Sequence, residues 1–168
     1  MTAFFQSARF LLPEFVTAVT ADVSGAVALD LYAGVGLFTL PLSKQFEQVM
    51  AVEVAPQATA NLAANARTVP GRKVRAIAGT TFDYLRRSAQ MDPDLVVLDP
   101  PRAGAAAQVA ELARSKVEKI VYASCDPGSF ARDARALQDG GYRLEKLMPI
   151  DQFLWSAHVE LIALLTRR

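Results

Sequence analysis

The sequence is short of the residues that build metal centres and disulfides. One cysteine, one histidine and one tryptophan occur in 168 residues. A single cysteine closes no internal disulfide, and one cysteine with one histidine is too few for a four-ligand zinc or iron–sulfur site. No metal or cluster is therefore expected in this chain. No apolar run reaches the roughly 18 residues of a membrane-spanning helix. The first twelve residues carry Gln6 and Arg9 among apolar neighbours and lack a secretory signal layout. A cytoplasmic location is the resulting expectation. Charge of one sign is also scarce: 18 Lys and Arg against 17 Asp and Glu give a formal net charge of +1. A freestanding nucleic-acid binder carries a basic excess, so its lack counts against this chain gripping such a polymer alone.

What is present is alternation. Hydrophobic residues make up 52% and charged residues 21%, a globular composition, and the length suits one domain over residues 1–168. Short β-rich runs recur at Ala26–Tyr32, Gln48–Val54, Lys73–Ala78, Asp94–Asp99, Lys119–Ser124, Tyr142–Ile150 and His158–Thr166. Between most of them lie stretches with helical spacing: Arg9–Ala21, Leu37–Gln45, Pro56–Arg67, Thr80–Ala89, Ala105–Ser115 and Ser129–Gln138. Strands alternating with helices imply an α/β fold, a mostly parallel sheet covered on both faces. The last two strands have no helix between them and predict an antiparallel hairpin at one edge. Seven strands with that ending suit a Rossmann-like methyltransferase sheet better than a nicotinamide-binding one.

Ligands of such sheets sit at the C-terminal strand ends, and the unusual residues gather there. The first strand runs into Asp30-Leu31-Tyr32-Ala33-Gly34-Val35-Gly36-Leu37. Glycines 34 and 36 allow a tight turn and close approach to a ligand. By itself Gly-x-Gly is weak, and position 39 is Thr where a dinucleotide fingerprint has its third glycine. Glu53 ends the second strand, where a carboxylate accepts hydrogen bonds from ribose hydroxyls. Asp30 favours S-adenosylmethionine over NAD, because a pyrophosphate is disfavoured beside a carboxylate. Strand four ends in Asp99-Pro100-Pro101-Arg102-Ala103-Gly104, two prolines holding Asp99 with little freedom to orient a substrate's polar edge. An aromatic residue after the prolines is frequent in enzymes methylating amino groups; Arg102 stands there instead. RNA cytosine-5 enzymes often carry a cysteine in this loop, and none is present.

Cys125 ends strand five in Ser124-Cys125-Asp126-Pro127. A lone cysteine is usually a small buried hydrophobe, but this one falls beside the expected cofactor. A thiolate adding to carbon 6 of uracil makes carbon 5 nucleophilic toward a sulfonium methyl. The scheme then needs a base for the carbon-5 proton. The start of the following helix is expected to lower the thiol's pKa. Glu160 opens the last strand and is either that base or an edge charge facing water. His158 shares its face if the strand is regular; it orients Glu160, touches RNA, or is structural. Phe153 and Trp155 read as loop anchors rather than stacking surfaces.

These elements together resemble the catalytic domain of the bacterial RNA 5-methyluridine methyltransferases over nearly the whole chain. The matching stretches are Phe4-Phe5-Gln6, Asp30 to Gly36, Glu53, Asp99 to Gly104, Ser124 to Pro127 with Arg132-Asp133, and His158-Val159-Glu160. The resemblance implies a class I S-adenosylmethionine-dependent fold with Cys125 as nucleophile and Glu160 as base. It implies that Gln6, Asp30, Tyr32, Gly34, Gly36, Leu37, Glu53 and Asp99 hold the cofactor. Phe4, Asp99, Arg102 and His158 would face a uridine flipped out of tRNA or 23S rRNA. Two departures stand out: Ala8 replaces the family's usual Asn, and Phe153-Leu154-Trp155-Ser156 replaces Phe-Pro-x-Thr. Family members are twice this length or more, so a monomeric chain whose RNA-binding region is supplied by a missing N-terminal part is expected. The alternatives are an RNA cytosine-5 enzyme, a cofactor-binding domain inactive without that region, and, disfavoured by Asp30 and the incomplete fingerprint, a nicotinamide oxidoreductase.

Overall fold

The computed structural model describes residues 11–21, 23–87, 91–151 and 159–168. Seven strands form one sheet in the order β3-β2-β1-β4-β5-β7-β6. They are β1 (Gly25–Leu31), β2 (Phe46–Glu53), β3 (Val74–Ala78), β4 (Leu95–Leu98), β5 (Lys119–Ser124), β6 (Tyr142–Ile150) and β7 (Glu160–Arg167). The helices are α1 (Leu12–Thr20), α2 (Thr39–Leu42), α3 (Pro56–Ala66), α4 (Thr81–Arg87), α5 (Ala106–Arg114) and α6 (Pro127–Asp139). The first five strands are parallel neighbours, while β7 runs antiparallel between β5 and β6. The expected Rossmann-like sheet is therefore present, with one refinement. The terminal hairpin inserts its second strand, leaving β6 at the edge.

The two-residue repeat of the strands sorts side chains onto two faces. Leu29, Val96, Leu98, Ile120 and Tyr122 join the core with Val109, Leu112, Phe130 and Leu137 from α5 and α6. Ala28, Val97, Val121 and Ile162 join the other core with Phe15 and Val19 from α1, Leu42 from α2 with Phe38 just before it, and Ala66 from α3. All four β4 residues are buried, as expected of a central parallel strand covered on both sides. Each such side chain contributes roughly 1.5–3 kcal/mol of burial. Prolines in the first turn start α1, α3 and α6, where a missing N–H costs nothing. Among the described residues, no helix is long and apolar enough to cross a membrane.

The helix expected over Leu37–Gln45 is one turn, Thr39–Leu42. Pro41 falls inside it, and Ser43 Oγ donates to the Leu40 carbonyl, which competes with further helix. The strand order reverses between β1 and β4, where open α/β sheets keep their ligand crevice.

Candidate active site at the C-terminal rim of the sheet

Two strand directions meet at this rim. The parallel strands end here, and antiparallel β7 begins here. Gly34, Glu53, Asp99 and Cys125 therefore share a rim with Glu160 although β7 runs the other way.

Asp30 lies on the α1–α3 face of β1 and is 1% exposed. Thr39 Oγ1 donates to Asp30 Oδ2, tying the exit of the glycine loop to the strand beneath it. Asp30 Oδ1 is buried without a hydrogen-bond partner among the described residues. Burial pushes the Asp30 carboxyl up to about 7, against the opposing pull of Thr39 and with a smaller push from Glu53. The folded state therefore holds a proton that the unfolded chain releases. Stability is full below the ordinary carboxylate pKa and falls as pH rises from about 4 to about 7. With the printed shift from 3.8 to about 7 the loss is on the order of 4 kcal/mol at most. We expect a higher melting temperature at pH 5 than at pH 8, and Asp30→Asn to flatten that difference. An unchanged slope in the variant would remove Asp30 as its source.

Gly34 has φ +56°, and a Cβ there would meet nothing within 4 Å, so the loop presents open space to a ligand. Its N–H donates to Glu53 Oε2 at 2.9 Å, and the Ala55 N–H donates to Glu53 Oε1 at 2.7 Å. Glu53 thus fixes both the glycine loop and the entry to α3. Each oxygen keeps lone-pair capacity for a hydroxyl donor. The next residue, Val54, is 62% exposed. It offers an apolar platform beside Glu53 that the sequence reading missed. The signal was a branched apolar residue stranded between a strand-ending acid and the Ala55-Pro56 helix start. An orphaned buried oxygen, an open glycine, a two-oxygen acceptor and an apolar ledge suit a nucleoside carrying a charged amino-acid tail. The single turn of α2 offers little of the helix dipole that a pyrophosphate uses. Gly36 and Leu37 lie on the same loop, Gly36 against Leu62 of α3 and Leu37 partly buried beside the α1–α2 core. Tyr32 has φ +65°, a strained value for a bulky residue. Its half-buried ring packs on the core and its hydroxyl pairs with Thr81.

The thiol side is set by register. Ser124 of β5 pairs with Leu161 of β7, so one further step sets Cys125 opposite Glu160. Glu160 is 3% exposed, which removes the reading of a water-facing edge charge. Burial raises its pKa. Cys125 is partly exposed. Burial, then the negative charge of Glu160, hold its thiol above the usual range; Arg102 pulls it down, and Asp99 pushes it up by less. This corrects the expectation of a thiol acidified by a helix start. Asp126 caps α6, and its own carboxylate takes the Ser129 N–H at 2.7 Å. Arg102 and Asp99 nonetheless lie close enough to Cys125 for their charges to act on it. The structure thus gathers Glu160, Asp99 and Arg102 around Cys125, and joins Gly34 to Glu53 on a loop that Asp30 anchors through Thr39, while Gly36 and Leu37 pack toward α3 and the α1–α2 core. Phe4, Gln6, Ala8, Phe153 to Ser156 and His158 lie outside the described residues.

One buried group at the rim was not singled out as functional. Asp133 on α6 is 1% exposed. Its Oδ2 accepts from Ala105 N at 2.6 Å and from Tyr122 Oη at 2.7 Å. Its Oδ1 accepts from Arg132 Nε at 2.9 Å and Nη2 at 2.8 Å. The sequence did signal it: a carboxylate on the apolar face formed by Phe130, Ala134 and Leu137 needs buried partners.

The profile of the family described as tRNA (uracil-5-)-methyltransferase matches residues 9–168. An uncharacterized RNA methyltransferase of Caulobacter vibrioides is 42% identical over 170 residues, covering 98% of this chain and 40% of its own length. The 23S rRNA (uracil(1939)-C(5))-methyltransferase RlmD of Chromohalobacter salexigens is 41% identical over 139 residues, 83% of this chain and 29% of that protein. The Pyrococcus abyssi tRNA (uracil-54, C5)-methyltransferase, solved with S-adenosyl-L-homocysteine, superposes with TM-score 0.82 at 31% identity, covering 98% of this chain and 40% of that one. This chain therefore spans less than half the length of these relatives. On the profile match and these identities, the chain belongs to the tRNA (uracil-5-)-methyltransferase family.

Proposed function

We propose that this chain is the catalytic domain of an enzyme that transfers a methyl group from S-adenosylmethionine to carbon 5 of a uridine in tRNA or 23S rRNA. The carrying observation is the β5–β7 register, which sets the thiol of Cys125 opposite the buried carboxylate of Glu160 on the rim that holds Gly34 and Glu53. A crystallised relative bound to the demethylated cofactor supports the choice of donor.

Bound there, S-adenosylmethionine supplies an electrophilic methyl on a sulfonium. Glu53 would accept from its ribose and Val54 would pack on its base, while Asp30 Oδ1, unmatched among the described residues, would face a donor on its amino-acid tail. Asp99 faces the uracil edge. The Cys125 thiolate adds to carbon 6, and the electron pair moved onto carbon 5 forms the new carbon–methyl bond as the methyl leaves its sulfur. Glu160 then takes the carbon-5 proton, and the carbon 6–sulfur bond breaks to return the thiolate. Burial and, after it, the charge of Glu160 keep the thiol protonated at rest, so a proton must leave it first. Cys125 is partly exposed, and passing that proton to water leaves Glu160 ionised for the carbon-5 proton. A structured RNA needs more grip than a near-neutral chain gives, and we place that grip in the further length that the relatives carry.

Labelled cofactor and mixed tRNA and rRNA test the reading. The expected nucleoside after digestion is 5-methyluridine. Recovery of 5-methylcytidine instead would shift the assignment to cytosine. Cofactor binding with no modified nucleoside, even with a relative's RNA-binding region added, would leave a binding module.

A further inference from the structure

We infer that Asp133, acting with Arg132 and Tyr122, is a positioning joint that fixes the Asp99–Arg102 loop against the helix following Cys125. The inference rests on the proposed chemistry only in naming what the spacing serves. It sets the distance between the carboxylate that faces the base and the sulfur that attacks it.

The loop runs between two anchored ends. At one end β4 is locked in the sheet between β1 and β5. At the other, Ala103 and Ala105 are both bound by α6: Arg132 Nη2 donates to the Ala103 carbonyl at 2.9 Å, and the Ala105 N–H donates to Asp133 Oδ2 at 2.6 Å. Gly104 between them has φ +80°. A Cβ there would come within 2.5 Å of Arg132 Nη2 and 2.6 Å of Asp133 Oδ2. Only glycine lets the loop press this closely on the helix. The Gly104 N–H bonds back to the Pro101 carbonyl at 2.8 Å, so the turn itself is closed. Tyr122 adds a third element. Its hydroxyl reaches the same Asp133 oxygen from β5, three residues before Cys125.

Packing alone does not call for this arrangement. A buried carboxylate is weak evidence of stability, and an apolar side chain would fill the site at less cost. Its four donors, from the loop, from β5 and from α6, make it a shared fixed point for the two segments that present Asp99 and Cys125. Arg132 is half-exposed, with 53% of its side chain accessible, so it can be replaced without opening the core.

The chain's single cysteine gives a probe of spacing that needs no methyl transfer. The charged groups acting on that thiol are Glu160 on β7 and Arg102 and Asp99 on the loop, and the loop's net pull is downward. In Arg132→Gln and Asp133→Asn, amide exchange over Ala103–Ala105 should quicken roughly tenfold or more. The pH profile for iodoacetamide alkylation of Cys125 should move away from that of wild type as the loop withdraws, because the thiol's burial and the loop charges Arg102 and Asp99 all change together. Methyl transfer should lose about 10–100-fold in kcat while cofactor affinity stays within about twofold, the mark of lost positioning. Tyr142→Phe is the matched control. It removes a buried hydroxyl bonded to the Val117 carbonyl at 2.7 Å, away from this rim, and should lower the melting temperature without moving the alkylation midpoint. Loop amides that exchange as before in Arg132→Gln, or faster exchange with an alkylation profile superimposed on wild type, overturn the joint. A shifted profile in a chain that leaves uridine unmodified even with a relative's RNA-binding region added overturns the uridine reading and leaves the joint standing.

Discussion

Cys125→Ala is expected to abolish methylation, with turnover down by at least about 10⁴-fold, the scale seen when a covalent nucleophile is removed. Cofactor affinity should stay near wild type, because Asp30 on β1 is bonded by Thr39, and Glu53 on β2 by Gly34 in the loop after β1, rather than by the thiol. The separation of the two quantities is the informative part. With RNA containing 5-fluorouridine the wild-type chain should leave a stable protein–RNA adduct, since fluorine cannot depart from carbon 5 as the proton does. The alanine variant should leave none. An adduct formed without this sulfur would mean another residue attacks, and the β5–β7 argument would lose its role in the chemistry. The raised thiol adds a pH dependence. Burial and Glu160 hold the thiol above its usual range, so the thiolate fraction is small at neutral pH. Adduct formation should therefore quicken as pH rises through the alkaline range rather than level off near neutrality.

Glu160→Gln should separate formation of the adduct from its resolution. The amide keeps the shape of a side chain that is 3% exposed but cannot accept the carbon-5 proton. Methyl transfer to the first adduct proceeds, release slows by about 10²–10⁴-fold, and covalent complex with ordinary uridine RNA accumulates. Gel shift under denaturing conditions reads this directly. A second consequence is electrostatic. Removing the negative charge facing Cys125 lowers the thiol's pKa, so alkylation near neutral pH becomes faster in the variant than in wild type. Turnover equal to wild type, with no trapped complex, would remove Glu160 from the reaction. Faster alkylation without trapping would retain it as a neighbour and nothing more.

Much of this site was legible because each feature is local in the chain. Gly34 and Gly36, the prolines after Asp99 and the Ser124-Cys125-Asp126-Pro127 stretch each mark a strand end by residues that permit or enforce a turn. The alternation of strands and helices then placed those turns on one rim. The pH behaviour of Cys125 was misjudged. The sequence showed a helix following the thiol, but not that Asp126 would take its N-terminal N–H group. Nor did it show that two carboxylates from distant strands would face the sulfur. Val54 was passed over because an exposed apolar residue is unremarkable until its neighbour Glu53 is seen holding Gly34.

The sequence by itself determined the fold class, the strand-end positions of Asp30, Glu53, Asp99 and Cys125, and the family resemblance, because all of these follow from spacing and backbone preference within short windows. Only the tertiary structure decided which groups meet. The insertion of β7 between β5 and β6 turned Glu160 from a possible edge charge into a buried partner for Cys125. The fold of α6 onto the loop after β4 made Asp133 a fixed point for two segments far apart in the chain. Such meetings depend on strand order and register, which are set by long-range pairing and leave little local trace.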